Sequence, residues 1–122
     1  MTGETSHKIA IVDDDDAVRD SLRELFEAAG HLVEVFSSAV DFLKSEFRHV
    51  ACLISDNRME PMSGLELIER MRSEGIDIPV LLVTATATSA VLARAAELRI
   101  DRVLEKPANV QELLEFARAK AS

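Results

Sequence analysis

The chain has 122 residues, 48% of them hydrophobic and 30% charged, with a formal net charge of −8. That size and balance describe one globular domain around a single core rather than a disordered chain, and the acidic excess argues against a nucleic-acid partner, whose phosphates are held by clustered Lys and Arg. No apolar run approaches the roughly 20 residues of a membrane span, and the opening MTGETSHK carries no apolar signal segment, so no membrane association and a cytoplasmic location are expected.

Short apolar runs alternate with helical patterns. KIAIV (8–12) reads as a strand, and the polar residues before Lys8 as a frayed end. Val18, Leu22, Leu25, Phe26 and Ala29 then recur at helical spacing, with Gly30 placed to stop the helix. HLVEVF (31–36) is a second strand, and Glu34 inside it marks an edge. Ser38 with Asp41 resembles a capping box for a second helix bearing Phe42, Leu43 and Phe47.

ACLIS (51–55) is a third strand. It contains the only cysteine, Cys52, which therefore has no internal disulfide partner and reads as a buried, inert thiol. Leu65, Ile68 and Met71 form a third helical stripe ending near Gly75. PVLLVT (79–84) is the fourth strand, and Val91, Leu92, Ala95 and Ala96 follow Ser89 as a fourth helix. RVLE (102–105) is the fifth strand, and Asn109 with Glu112 caps a fifth helix carrying Val110, Leu113, Leu114 and Ala117.

Strand and helix alternate over five units, which implies a parallel sheet covered by helices on both faces. The third and fourth strands, continuously apolar, belong at its centre. One domain is expected over 1–122, with its core from about 8 to 119 and no output domain. His7, His31 and His49 are scattered and read as structural or exposed.

In an open parallel sheet, ligands sit beyond the carboxyl ends of the strands. Those positions hold Asp13 and Asp14 after the first strand, Asp56 after the third, Thr84 closing the fourth and Lys106 after the fifth. Clustered acidic oxygens suit a hard cation such as Mg²⁺, which leaves several waters in place for a phosphate-bearing substrate. Asp15 and Asp16, further along the DDDD run, read as helix-capping and first-turn residues. Thr86 and Thr88 in the TATAT run are alternatives to Thr84.

VDD (12–14), LISD (53–56), VTA (83–85) and EKP (105–107), with DNRMEPMSG (56–64), together resemble the receiver domain of two-component response regulators over about Lys8 to Ala119. The resemblance implies a flavodoxin-like (βα)5 doubly wound sandwich with strand order 2-1-3-4-5. It implies Asp56 as phosphoacceptor, and Mg²⁺ held by Asp14 and Asp56, by Asp13 through water and by the backbone carbonyl of Arg58. Thr84 and Lys106 would hold phosphoryl oxygens, and the bond before Pro107 would be cis. The implied partners are a sensor histidine kinase or a histidine phosphotransfer protein, with a homodimer through the fourth helix, fifth strand and fifth helix. No direct nucleic-acid binding is implied for this chain. It would be a signalling domain rather than an enzyme with turnover, catalysing only its own phosphorylation and dephosphorylation.

Two other functions compete. One is a pseudo-receiver, the same fold used as a constitutive protein-binding module. The other is an aspartyl-phosphate hydrolase, which usually keeps its nucleophile after the first strand on a longer chain. Three positions depart from the family pattern. Met59 is followed by Glu60 before Pro61, so the acceptor loop is expected to be rerouted. The switch aromatic three residues before the lysine is Val103. The frequent glycine before the fifth strand is Arg99, where a different turn is expected.

Overall fold

The computed structural model describes residues 7–121. Five strands, β1 (Lys8–Val12), β2 (Leu32–Phe36), β3 (Cys52–Asp56), β4 (Val80–Thr84) and β5 (Arg102–Glu105), form one sheet in the order β2-β1-β3-β4-β5. All four pairings are parallel. The helices are α1 (Asp16–Ala28), α2 (Ala39–Lys44), α3 (Gly64–Ser73), α4 (Ser89–Glu97) and α5 (Val110–Ala121), with one 3₁₀ turn at Phe47–His49. The expected doubly wound architecture and strand order are what the chain adopts.

Successive strand residues point to opposite faces, and the two cores follow that alternation. Ala10, Val12, Leu53, Val80 and Leu82 face the side covered by α2, α3 and the end of α4, where Phe42, Leu67, Ile68, Met71 and Leu98 pack. Ile9, Ile11, Ile54, Leu81 and Val83 face α1 and α5, where Phe26, Leu113, Phe116 and Ala117 pack. β3 and β4 are buried along their whole length, as central strands should be, whereas β2 is only half-buried and exposes Leu32 at the edge.

Caps set the helix starts. The side chains of Asp15, Ser38, Ser63 and Thr88 each accept an amide three residues on, and Asn109 does the same for Glu112. Each such cap stabilises its helix by about 1 kcal/mol. The reciprocal capping box lies at Ser63 and Glu66, not at Ser38, because the Asp41 carboxylate accepts from the Ser37 hydroxyl instead. Gly30 and Gly75 take positive φ where α1 and α3 end, as their positions require.

The structure corrects several expectations. Phe47 is buried from the 3₁₀ turn, beyond the end of α2, rather than from the helix itself. On α4 the buried face is Val91, Ala95 and Leu98, and Leu92 and Ala96 turn outward. Val110 is also exposed, because Leu113, Phe116 and Ala117 form the buried stripe of α5. Arg99 adopts φ of 56° itself, so the turn keeps the left-handed geometry that favours glycine instead of taking another path.

Residues 1–6 of the expected frayed end lie outside the described residues, while His7 Nδ1 lies 3.2 Å from the carbonyl of Ala121. Among the described residues no helix is long and apolar enough to cross a membrane.

Candidate functional site

The carboxyl edge of the sheet brings the expected residues together. β1 delivers Asp13 and Asp14, and β3 ends on Asp56, which lies beside Val83 of β4. Carboxylate oxygens of Asp13, Asp14 and Asp56 all lie within 4.8 Å of one another. Asp13 and Asp56 are buried and Asp14 is exposed, so the cluster is open on one side.

Local bonding orients these groups. Asp13 Oδ1 accepts the Asp15 amide at 2.9 Å, and the Arg19 guanidinium reaches back to the Asp13 carbonyl at 2.7 Å. Arg19 also pairs with Asp16, so the DDDD run divides into two site residues, one cap and one ion-pair partner. Burial, joined by the carboxylates of Asp56 and Asp14, holds the Asp13 carboxyl above its ordinary range despite the opposing Asp15 amide and Lys106.

Lys106 follows β5, and its Nζ stands 2.9 Å from Asp56 Oδ1. Among the described residues this buried oxygen has no partner besides that ammonium. The Asp56 carboxylate holds the Lys106 ammonium above its ordinary value, against the opposing effect of burial. A buried carboxylate oxygen paired only with Lys106, beside two further carboxylates, belongs to a donor set that fits a hard divalent cation.

The loop after Asp56 is closed by its own residues. Asn57 accepts the Gly64 amide on its backbone carbonyl at 2.8 Å and the Leu65 amide on its side chain at 3.1 Å. A Cβ at Gly64 would stand 2.4 Å from the carbonyl oxygen of Asp56, so only glycine lets α3 begin against the strand end. Within the loop Arg58 is exposed and Met59 is buried, and both the Glu60–Pro61 and Lys106–Pro107 bonds are cis. The second of these was expected and the first was not.

Thr84 is buried at the end of β4, directly opposite Glu105, and its hydroxyl donates to the Thr86 carbonyl at 3.2 Å. Thr86 and Thr88 are exposed, and Thr88 serves as the α4 cap. Val103 is half-buried against the core on the α3 side. Beside the site, α1 and α5 enclose a mainly apolar cavity of about 370 Å³, lined by Val18, Leu22, Leu25, Val110 and Leu113 and also by Asp13, Asp56 and Lys106.

Three features were missed in the sequence. Gly64 and Asn57 act through close approach and backbone capture, for which the only sequence signal is a Gly and an Asn flanking the loop. Glu105, which accepts the Ala87 amide at 2.7 Å, looks like any solvated strand-end glutamate.

A doubly wound parallel domain with an acidic cluster and one ammonium across its carboxyl edge is the architecture of a signalling receiver domain. The chain belongs to the response regulator receiver domain family, whose model matches residues 9–118. It is 36% identical over 104 residues to the transcriptional regulatory protein FixJ of Bradyrhizobium diazoefficiens, covering 84% of this chain and 51% of that protein. The structure of the response regulator StyR superposes with a TM-score of 0.85 at 35% identity, over 93% of this chain and 58% of that one. The FixJ-N crystal structure gives 0.82 at 29% identity, over 97% and 94%. The chain spans about half the length of the curated relatives it matches.

Proposed function

We propose that this domain receives a phosphoryl group on Asp56 from the phosphohistidine of a sensor histidine kinase or a histidine phosphotransfer protein, in a Mg²⁺-dependent reaction, and that the modified domain changes its protein partner. The observation that carries this reading is the buried, otherwise unpartnered Asp56 oxygen 2.9 Å from Lys106 and within 4.8 Å of two further carboxylates.

Asp56 attacks phosphorus, the bond from phosphorus to the histidine nitrogen breaks, and the imidazole leaves as the neutral base after taking up a proton. Asp13, Asp14, Asp56 and the Arg58 carbonyl would hold Mg²⁺, which supplies charge neutralisation for the phosphoryl oxygens. Lys106, which pairs with Asp56, would bind one of those oxygens, and the Thr84 hydroxyl, once released from Thr86, another. Such chemistry asks for positioning and fixed charge more than for a separate acid or base. The domain thus acts on itself and has no substrate turnover. A homodimer through α4, β5 and α5 belongs to the same reading, with exposed Leu92 as its apolar contact.

The test is incorporation of label from acetyl phosphate, followed by phosphotransfer from candidate kinases. Wild type should take up close to one phosphoryl group per chain, and Asp56→Asn none while keeping its circular dichroism spectrum. Unlabelled wild type that still captures a partner would identify a pseudo-receiver, and sustained release of inorganic phosphate from a small ester would identify a hydrolase.

A further inference from the structure

Glu105 stands at a junction that the phosphoacceptor chemistry does not use. It closes β5 directly opposite Thr84 of β4, and it immediately precedes Lys106, whose ammonium contacts Asp56. Its carboxylate accepts the Ala87 amide at 2.7 Å, and Ala87 immediately precedes Thr88, the cap of α4. Among the described residues no cation pairs with Glu105, so this loop amide is its bonding partner. On the other side of the same loop, the Lys106 amide donates to the Thr84 carbonyl at 2.9 Å while the Thr84 hydroxyl donates to the Thr86 carbonyl. The loop of residues 85–88 is therefore tied to β5, and the Thr84 hydroxyl is tied to the loop.

Resting on the reading of Asp56 as acceptor, we propose that Glu105 is a positioning residue that latches the 85–88 loop in the arrangement holding the Thr84 hydroxyl on Thr86, and so sets the cost of bringing that hydroxyl to a phosphoryl group. The geometry makes the dependence direct. Thr84 Oγ1 has to leave the Thr86 carbonyl to serve a new acceptor. Thr86 adjoins Ala87, so a shift that frees the hydroxyl pulls on the charge-assisted bond between the Ala87 amide and Glu105. A phosphoryl group binds the released arrangement better and draws the domain toward it; its apparent affinity is reduced by the fraction of molecules in which the latch is closed. Weakening the latch raises the open fraction.

The experiment uses the full chain and beryllofluoride, a stable phosphoryl mimic, in the presence of Mg²⁺. Calorimetry should show Glu105→Ala binding the mimic about fivefold more tightly than wild type, the effect of one lost hydrogen bond. Exchange of the Ala87 amide should quicken by a similar factor. Glu105→Gln keeps an oxygen acceptor and should stay within about twofold of wild type. Affinity for Mg²⁺ alone should be the same in all three proteins, which a general loosening of the site would not allow.

Equal beryllofluoride affinity in wild type and Glu105→Ala would overturn the latch and leave the acceptor reading standing. So would a matching change in Mg²⁺ affinity, since Glu105 would then act on the metal site. Failure of wild type and both variants to bind the mimic at all would overturn the acceptor reading, and the latch with it.

Discussion

The two ends of the sheet use the same charged residue types to opposite effect. At the amino end the charges are answered. Asp101 accepts the Val80 amide at 3.0 Å, its own amide returns a bond to the Val80 carbonyl, and Lys120 stands 3.4 Å away. The Arg72 guanidinium fans across the carbonyls of Leu98 and Ile76 at 2.7 and 2.8 Å, tying the ends of α3 and α4 together. Arg99 pairs with Asp77 at 2.9 Å. At the carboxyl end three carboxylates share one small space with Lys106. At one end the fold supplies each charge with a partner, whereas at the other it gathers three carboxylates around one ammonium.

The largest expected effect breaks the amino end. Arg72→Ala leaves carbonyls at two helix ends without their donor and should cost about 3 kcal/mol of stability. Urea unfolding measures this, followed by far-ultraviolet circular dichroism because the chain has no Trp or Tyr. The stabilisation added by Mg²⁺ should be unchanged. A fall in that increment would show that the two ends are not independent.

Gly64→Ala tests the carboxyl end by crowding. The added methyl meets the Asp56 carbonyl and the Leu82 side chain, so overpacking should cost about 2 kcal/mol. Labelling from acetyl phosphate should slow as well, because relief of the clash moves Asp56. Unchanged labelling would show that the helix start yields and Asp56 does not.

Cys52 sharpens the contrast, since it opens β3 at the amino end. Burial pushes its thiol from 9.0 up to about 12, with the Asp101 carboxylate adding to the rise and Lys120 opposing it. An acid whose folded form holds its proton more tightly leaves stability intact below pH 9 and lowers it as pH climbs toward 12. At pH 10 the loss should be about 1.4 kcal/mol, and Cys52→Ala should abolish that pH dependence. Iodoacetamide at pH 8 should modify the thiol only after unfolding.

The smallest change in stability belongs to Asp14→Ala. Without metal, relief of repulsion at this exposed position should raise stability by roughly 0.5 kcal/mol. The same variant should lose most of the Mg²⁺-dependent rise in melting temperature, which follows mass action. A full increment in the variant would remove Asp14 from the metal site.

The sheet was legible because its strands are short apolar runs whose ends carry the chemistry. All five runs fall within one residue of a strand, and the carboxyl ends of four of them point to Asp13, Asp14, Asp56, Thr84 and Lys106. Helix faces were less legible. On α4 an alanine-rich pattern allows several stripes, and packing chose Val91, Ala95 and Leu98, leaving Leu92 outside. Arg99 shows why the turn was misread: composition pointed away from a left-handed residue, but the closure of α4 onto β5 imposed one. Gly64, Asn57 and Glu105 were not legible at all, because each acts on a backbone group brought near by the fold.

The clasp between Asn57 and Gly64 has a consequence for how this surface can vary. Both ends of the segment are pinned, one by hydrogen bonds from α3 and the other by the close approach of Gly64 to the Asp56 carbonyl, and buried Met59 anchors its middle. Its length is therefore as constrained as its glycine. Arg58 and Glu60 face solvent between those anchors, so their side chains can be exchanged without moving Asp56. Inserting or deleting one residue there, by contrast, would change the spacing between strand and helix. The surface of this loop is thus open to substitution and closed to change in length.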